Sequence, residues 1–209
     1  MTAPVADKTV GRLSLYRRLL NGLLAHGVAN TFSHQLASMG GVSAAQVRRD
    51  LMVVGYTGSP IRGYDVRELV DSIGAFLDSP RGQGVALVGV GNLGRAILTY
   101  FSGRRPKLSI AAAFDSDPHK VNRLIHGCRC YPMEDLTKTC QELEIRVAII
   151  TVPASAAQAV TESLVRAGVR GILNFAPSPL RVPANTYVED MDITMSLEKV
   201  AYFARVNSV

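Results

Sequence analysis

Three things are scarce in this 209-residue sequence: cysteine, long apolar runs and, over the first 64 residues, acidic side chains. The cysteines are Cys128, Cys130 and Cys140, an odd count that gives no disulfide framework. Cys128-Arg129-Cys130 is spaced too tightly for a zinc knuckle. Three reduced thiols near a sheet edge, and no metal site, are therefore expected. No apolar run approaches the roughly 20 residues needed to cross a membrane. The opening residues, Met1 to Lys8, lack the apolar stretch of a secretion leader. A cytoplasmic protein with no membrane contact is expected.

Acid is short where base is not. Residues 1–64 hold seven Lys/Arg against two acids, Asp7 and Asp50, while the other 145 residues carry only +1 of the chain's net +6. A local basic excess attracts polyanions by counterion release. A solvated basic face has the same composition, so charge leaves nucleic-acid binding open.

The apolar pattern supplies more. Leu13, Tyr16, Leu19, Leu20, Leu23 and Leu24 recur at helical spacing and stop at His26-Gly27. A short helix over 31–39 follows, with Thr31 or Ser33 as its N-cap, then the turn Gly40-Gly41. Ser43 caps a third helix, and Gln46 completes a capping box. Ala37, Gly41 and Val47 fall where a helix-turn-helix needs a small crossing residue, a turn glycine and a core-facing apolar residue. Arg48 and Arg49 project from the outer side of the second helix and can bond guanine edges or phosphates. An ordinary helical hairpin with exposed arginines is the alternative.

Gly55 to Tyr64 is rich in turn formers and reads as a wing, a short hairpin able to touch DNA. Ser43, Gln46, Arg48 and Arg49, with Arg62, Gly63 and Tyr64 of the wing, make the candidate DNA-contact set. Asp65 caps an amphipathic helix over 66–77, and the breaker-rich 78–84 reads as a linker.

Beyond it the pattern alternates. Strands are expected at 85–88, 108–114, 147–152 and 171–175, with helices at 92–102 and 154–167 among those between. That is the signature of a parallel sheet covered on both faces. The fingerprint Gly89-Val90-Gly91-Asn92-Leu93-Gly94 joins the first strand to its helix. In it Gly89 makes the tight turn, Gly91 admits a pyrophosphate and Gly94 packs helix on sheet. Asp115 ends the next strand 21 residues after Gly94, placed to accept ribose hydroxyls and repel a 2′-phosphate. Asp117 is the rival, read instead as cap of a helix from Pro118, with Lys120 and Arg123 as solvated helix charges that could admit NADP. His26, His34, His119 and His126 form no catalytic pair, and no separate substrate domain is left.

With these motifs, and with Thr151-Val152-Pro153-Ala154 and Gly171-Ile172-Leu173-Asn174-Phe175-Ala176-Pro177, the chain from about Arg12 to Arg205 resembles the Rex family of redox-sensing transcriptional repressors. The resemblance implies a non-enzymatic α/β protein in three parts. These are an N-terminal winged helix-turn-helix domain (1–80), a Rossmann parallel-sheet domain (81–192) and a C-terminal helix (193–209) exchanged within a homodimer. It implies NAD(H) as ligand and operator DNA as partner, with NADH releasing the DNA. Val152-Pro153 and Asn174, Phe175, Ala176 and Pro177 would border the nicotinamide. Arg18, Tyr100 and Asp192 match the family's interdomain coupling residues. Two departures stand out. Ile193 occupies the place of a common aromatic residue near the nicotinamide. Pro60-Ile61 replaces the usual Arg-Gly pair of the wing, leaving Arg62 beside Gly63. An NAD-dependent oxidoreductase with a helical appendage and a coenzyme A-binding Rossmann protein remain the alternatives.

Overall fold

The computed structural model describes residues 5–103 and 107–207. The first four residues of the opening Met1 to Lys8 segment, and the last two of the expected C-terminal part, lie outside them. The chain divides into two compact units between Pro80 and Arg81.

The first unit is helical. It runs α1 (Asp7–Ala25), β1 (Asn30–Thr31), α2 (Ser33–Gly40), α3 (Ala44–Val53), β2 (Tyr64–Asp65) and α4 (Val66–Leu77). Leu13, Tyr16 and Leu20 of α1 meet Leu36, Val47, Leu51, Leu69 and Ile73 in one buried cluster. Helix α1 starts earlier than periodicity suggests, because its first turns bury nothing. Gly41 takes the left-handed conformation at φ 65°, ending α2 and turning the chain into α3. Ala37 and Val47 are both buried beside that turn. The N-cap of α2 is Phe32 rather than Thr31 or Ser33; its N–H donates to the Gln35 side chain at 2.9 Å. Ser43 caps α3 as expected, accepting from the Gln46 N–H at 3.1 Å. The capping box is only half formed, because the Gln46 side chain is spent elsewhere.

The second unit is a sheet between helices. Its elements are β3 (Gln83–Val88), α5 (Asn92–Phe101), β4 (Leu108–Asp115), β5 (Leu124–Ile125), β6 (Cys128–Pro132), a 3-10 turn (Met133–Asp135), α6 (Leu136–Glu142), β7 (Val147–Ile150), α7 (Ala154–Arg166), β8 (Gly171–Asn174), β9 (Tyr187–Asp190) and α8 (Ile193–Val206). Because β3 begins at Gln83, the linker is shorter than the sequence suggests. Among the described residues the sheet order is β5-β6-β4-β3-β7-β8-β9, and all pairs are parallel except β5 with β6. Without the β5 hairpin arm this is the doubly wound order 3-2-1-4-5-6. Alternate side chains serve opposite faces, as a pleated strand requires. Ala86, Val88, Phe114 and Ile150 pack with Leu136, Leu164 and their neighbours on one side. Val85, Leu87 and Ile149 pack with Ile97 and Leu98 of α5 on the other.

Residues 118–122 form a turn, not the helix expected from Pro118. Asn122 sits at φ 60°, which ends any helical course there. All three cysteines are free and buried. Burial pushes Cys128 and Cys140 up to about 11, so their thiols stay protonated at neutral pH.

Candidate functional site

In a doubly wound sheet the ligand crevice opens where the strand order reverses, outside the strands' carboxyl ends. Here that point lies between β3 and β7. A cavity of about 420 Å³ occupies it, lined by Gly89, Gly91, Asp115, Lys120, Val152 and Pro153 among others. Three of the glycine positions have distinct reasons. Gly89 stands at φ 96°, where a Cβ would meet the Thr151 carbonyl oxygen at 2.7 Å. At Gly94 a Cβ would lie 2.1 Å from the Gly89 oxygen, so only glycine lets α5 press on the turn. A Cβ on exposed Gly91 would meet nothing, which is the open approach a pyrophosphate needs. No side chain caps α5, leaving its first N–H groups, from Asn92, Leu93 and Gly94, for phosphate oxygens. The cradle fits a dinucleotide.

Asp115 is 8% exposed. Its Oδ2 accepts from the Val90 N–H at 2.7 Å and from Lys120 Nζ at 3.2 Å, and its Oδ1 accepts from the Asp117 N–H at 2.9 Å. Burial works against its charge. The bonds from Asp117, Val90 and Lys120 outweigh burial and hold the carboxyl below its usual range. With about four acceptor sites on a carboxylate, one remains for a ribose hydroxyl, and a second opens if Lys120 moves away. Asp117 caps the following turn, accepting from the His119 N–H at 2.9 Å. Lys120 is no solvated helix charge: it lies 3.2 Å from Asp115 and 3.5 Å from Asp117. Arg123 is exposed.

Two side chains at the site have roles that sequence reasoning missed. One is Lys120, named there only as a solvated charge, although the Asp-x-x-Lys spacing from Asp117 could have flagged the pairing. The other is Thr151, whose hydroxyl lies 2.6 Å from the Gly89 oxygen and 3.2 Å from that of Val88, tying the glycine turn to the end of β7. Asn174 ends β8, one strand further along, Phe175 to Pro177 follow it, and none of the four lines the cavity. Asn174 is 1% exposed and shapes that loop: it donates to Asp190 at 2.7 Å and to the Ser178 oxygen at 3.0 Å, and accepts from the Ala176 N–H at 3.0 Å. Ile193 opens α8, is 63% exposed, and is not among the cavity's lining residues.

The basic unit presents fewer of its expected contact residues than the sequence suggests. Arg48 and Arg49 are exposed on α3. Arg48 donates to the Ser33 hydroxyl at 3.1 Å, and Arg49 to the Gln46 side-chain oxygen at 2.7 Å. Ser59 and Gly63 close the 55–64 turn with paired backbone bonds, and Arg62 is exposed near its tip. Gly63 and Tyr64 turn inward instead. Gly63 has φ 72°, and a Cβ there would meet the Thr31 oxygen at 2.3 Å, while Tyr64 joins the core. They shape the turn from inside. Of the coupling set, Arg18 is exposed on α1, Tyr100 sits on α5 in edge contact with Phe101, and Asp192 caps α8 through the Met195 N–H at 2.8 Å.

A glycine turn at the switch point of a 3-2-1-4-5-6 sheet, backed by a charged acid, defines a Rossmann-type nucleotide-binding protein, here joined to a basic helical unit. Residues 81–178 match the family described as CoA binding domain, and residues 4–51 the family described as putative DNA-binding protein N-terminus. The chain is 41% identical over 200 residues to a redox-sensing transcriptional repressor Rex of Rhodopirellula baltica, covering 96% of this chain and 84% of that one. It is 42% identical over 201 residues to the Rex of Syntrophobacter fumaroxidans, covering 96% of each. The chain belongs to the Rex family. Among solved structures it is similar to RSP, a Rex-family repressor. The RSP complex with β-NAD+ and operator DNA superposes at a TM-score of 0.89 with 30% identity, covering 99% of this chain and 95% of that one. The RSP complex with β-NADH gives 0.86 with 29% identity, covering 99% and 97%. Among the described residues no helix is long and apolar enough to cross a membrane, and no group of three or more His, Cys, Asp or Glu could hold a metal ion.

Proposed function

We propose that this chain is a homodimeric, cytoplasmic repressor that holds operator DNA through a winged-helix domain and leaves it when NADH binds. The observation that carries the reading is similarity along almost the whole chain to a repressor solved both with NAD+ on operator DNA and with NADH. The cavity between β3 and β7 is where the nucleotide sits in this reading, with Gly91 and the start of α5 on the pyrophosphate and Asp115 on the adenosine ribose. In the same reading the loop after β8 and Ile193 would border the nicotinamide, as the family resemblance implies. Arg48, Arg49 and Arg62 face the DNA. Arg18, Tyr100 and Asp192 couple the two domains. When bound, the dinucleotide supplies no chemistry of its own here; its redox state is the signal.

The CoA-binding family match favours a second ligand. Coenzyme A carries a phosphate on its adenosine ribose, and the charged Asp115 opposes it by the same repulsion that opposes NADP(H). A gel-shift titration on duplexes selected by the protein itself, with NADH, NAD+ and coenzyme A as separate additions, tests the reading. Loss of the shifted band with NADH, at concentrations where NAD+ and coenzyme A leave it, is expected. Release by coenzyme A alone would replace the nicotinamide reading. Steady consumption of NADH on adding a small carbonyl substrate would restore the oxidoreductase one.

A further inference from the structure

In the first unit one buried carboxylate has every acceptor site filled. Asp50, on α3, is 2% exposed. Its Oδ2 accepts from Arg12 Nε at 2.6 Å and the Tyr16 hydroxyl at 3.0 Å, and its Oδ1 accepts from Arg12 Nη2 at 2.8 Å and Gln46 Nε2 at 2.8 Å. Those donors use the roughly four lone-pair sites a carboxylate offers. Arg12 and Tyr16 come from α1, and Gln46 stands one turn ahead of Asp50 on α3. The chain of bonds then continues outward: Gln46 Oε1 accepts from Arg49 Nη2 at 2.7 Å. A continuous line therefore runs from α1 through a saturated core acid to an exposed arginine.

We propose that Asp50 and Gln46 are positioning residues that aim the Arg49 guanidinium at a guanine edge, and that Gln46 reads no base itself. This rests on the DNA-binding reading above. A glutamine reads adenine with its amide N–H and its amide oxygen together. In Gln46 one amide N–H is turned inward to Asp50 and the amide oxygen is held by Arg49, so the protein, and not a base, sets the direction of the amide. A phosphate contact tolerates a mobile cation, whereas reading a base edge depends on direction. Arg49 has used only one of its about five N–H donors, so a bidentate pair is still available.

The test uses the full chain. Duplexes are selected from a random library by the wild-type protein. The selected duplex and its single base-pair substitutions are then titrated by fluorescence anisotropy with wild type, Gln46→Ala, Arg49→Ala and the double variant. Gln46→Ala leaves the Arg12–Asp50–Tyr16 contacts in place, and a thermal melt checks its fold. If it does not fold, Gln46→Met, which keeps the side-chain length without the amide, takes its place. Arg49→Ala is expected to lose discrimination at one G·C pair by about 5- to 150-fold, the span of a bidentate base contact. Gln46→Ala should lose it at that same pair, and the double variant should lose no more than Arg49→Ala alone. Loss at a different pair, additive losses, or an unchanged Gln46→Ala profile would overturn the relay and leave DNA binding standing. A wild-type protein that selects no sequence would overturn the DNA reading and the relay with it.

Discussion

Asp115 fills two roles with one carboxylate. It holds the glycine turn through the Val90 N–H, and it keeps a charge in the lining of the cavity. Replacing it with asparagine removes the charge and keeps the shape. Wild type should bind NADPH at least ~10-fold more weakly than NADH, about 1.4 kcal/mol. Asp115→Asn should bring the two affinities together, which a nucleotide-fluorescence titration would measure; a ratio that does not change would refute its role in selection. Asp115 was legible in the sequence because its distance from the glycines is set by one strand and one helix. Lys120 was not, since its approach to Asp115 depends on a turn that proline statistics read as a helix. Tyr64 misled for a related reason: a turn's composition does not say which of its side chains point inward.

At the level of elements, apolar periodicity located the long helices and the central strands, because each buries a full face. It missed β1, β2 and β5, two residues each, and β9, whose four residues are largely exposed, and it read β6, whose alternation is only one buried-exposed-buried step long, merely as thiols near a sheet edge. Nothing alternates where little is buried. The union of α1 and α3 has a further consequence, carried by Asp50. Burial opposes its charge, yet bonds from Arg12, Gln46 and Tyr16 hold its pKa below the ordinary value. A depressed carboxyl contributes stability that is fully present above the usual aspartate range, near pH 4, and is lost as pH falls through the lower folded value. Tyr16 is pushed up to about 12 by burial and by Asp50, so its contribution is complete below about pH 10 and fades as pH rises toward 12. Urea unfolding followed by circular dichroism should show the helical unit weakening at both ends of that range. In Tyr16→Phe the alkaline loss should shrink while the acid one persists. An unchanged alkaline limb in Tyr16→Phe would count against this account.

For the whole molecule, coupling must be reciprocal. If NADH weakens DNA binding by some factor, operator DNA weakens NADH binding by the same factor. Arg18→Ala should leave NADH affinity nearly unchanged and reduce that factor. A variant with the full NADH response in a DNA titration would remove Arg18 from the coupling. The sequence named Arg18, Tyr100 and Asp192 only through family resemblance, since no local pattern connects residues so far apart in the chain. Assembly gives a second expectation at this scale. Every described residue of α8 is exposed, including Ile193 at 63%, Leu197 at 64%, Val200 at 65% and Phe203 at 58%. Removing residues 196–209 should leave a folded chain that sediments as a monomer or aggregates; a well-folded dimer would argue against an exchanged helix.

The bareness of α8 reaches beyond assembly. Neither buried cluster of the second unit includes it, so its apolar side chains contribute nothing until another surface covers them. Each could then add about 1.5–3 kcal/mol. If the covering surface is a second copy of this chain, that free energy depends on how many chains share the compartment, as any association-linked stability does. Copy number thus becomes an input alongside the nucleotide ratio. Diluting the protein should lower its melting temperature with no change of ligand, and a cell that makes more of it makes each copy more durable.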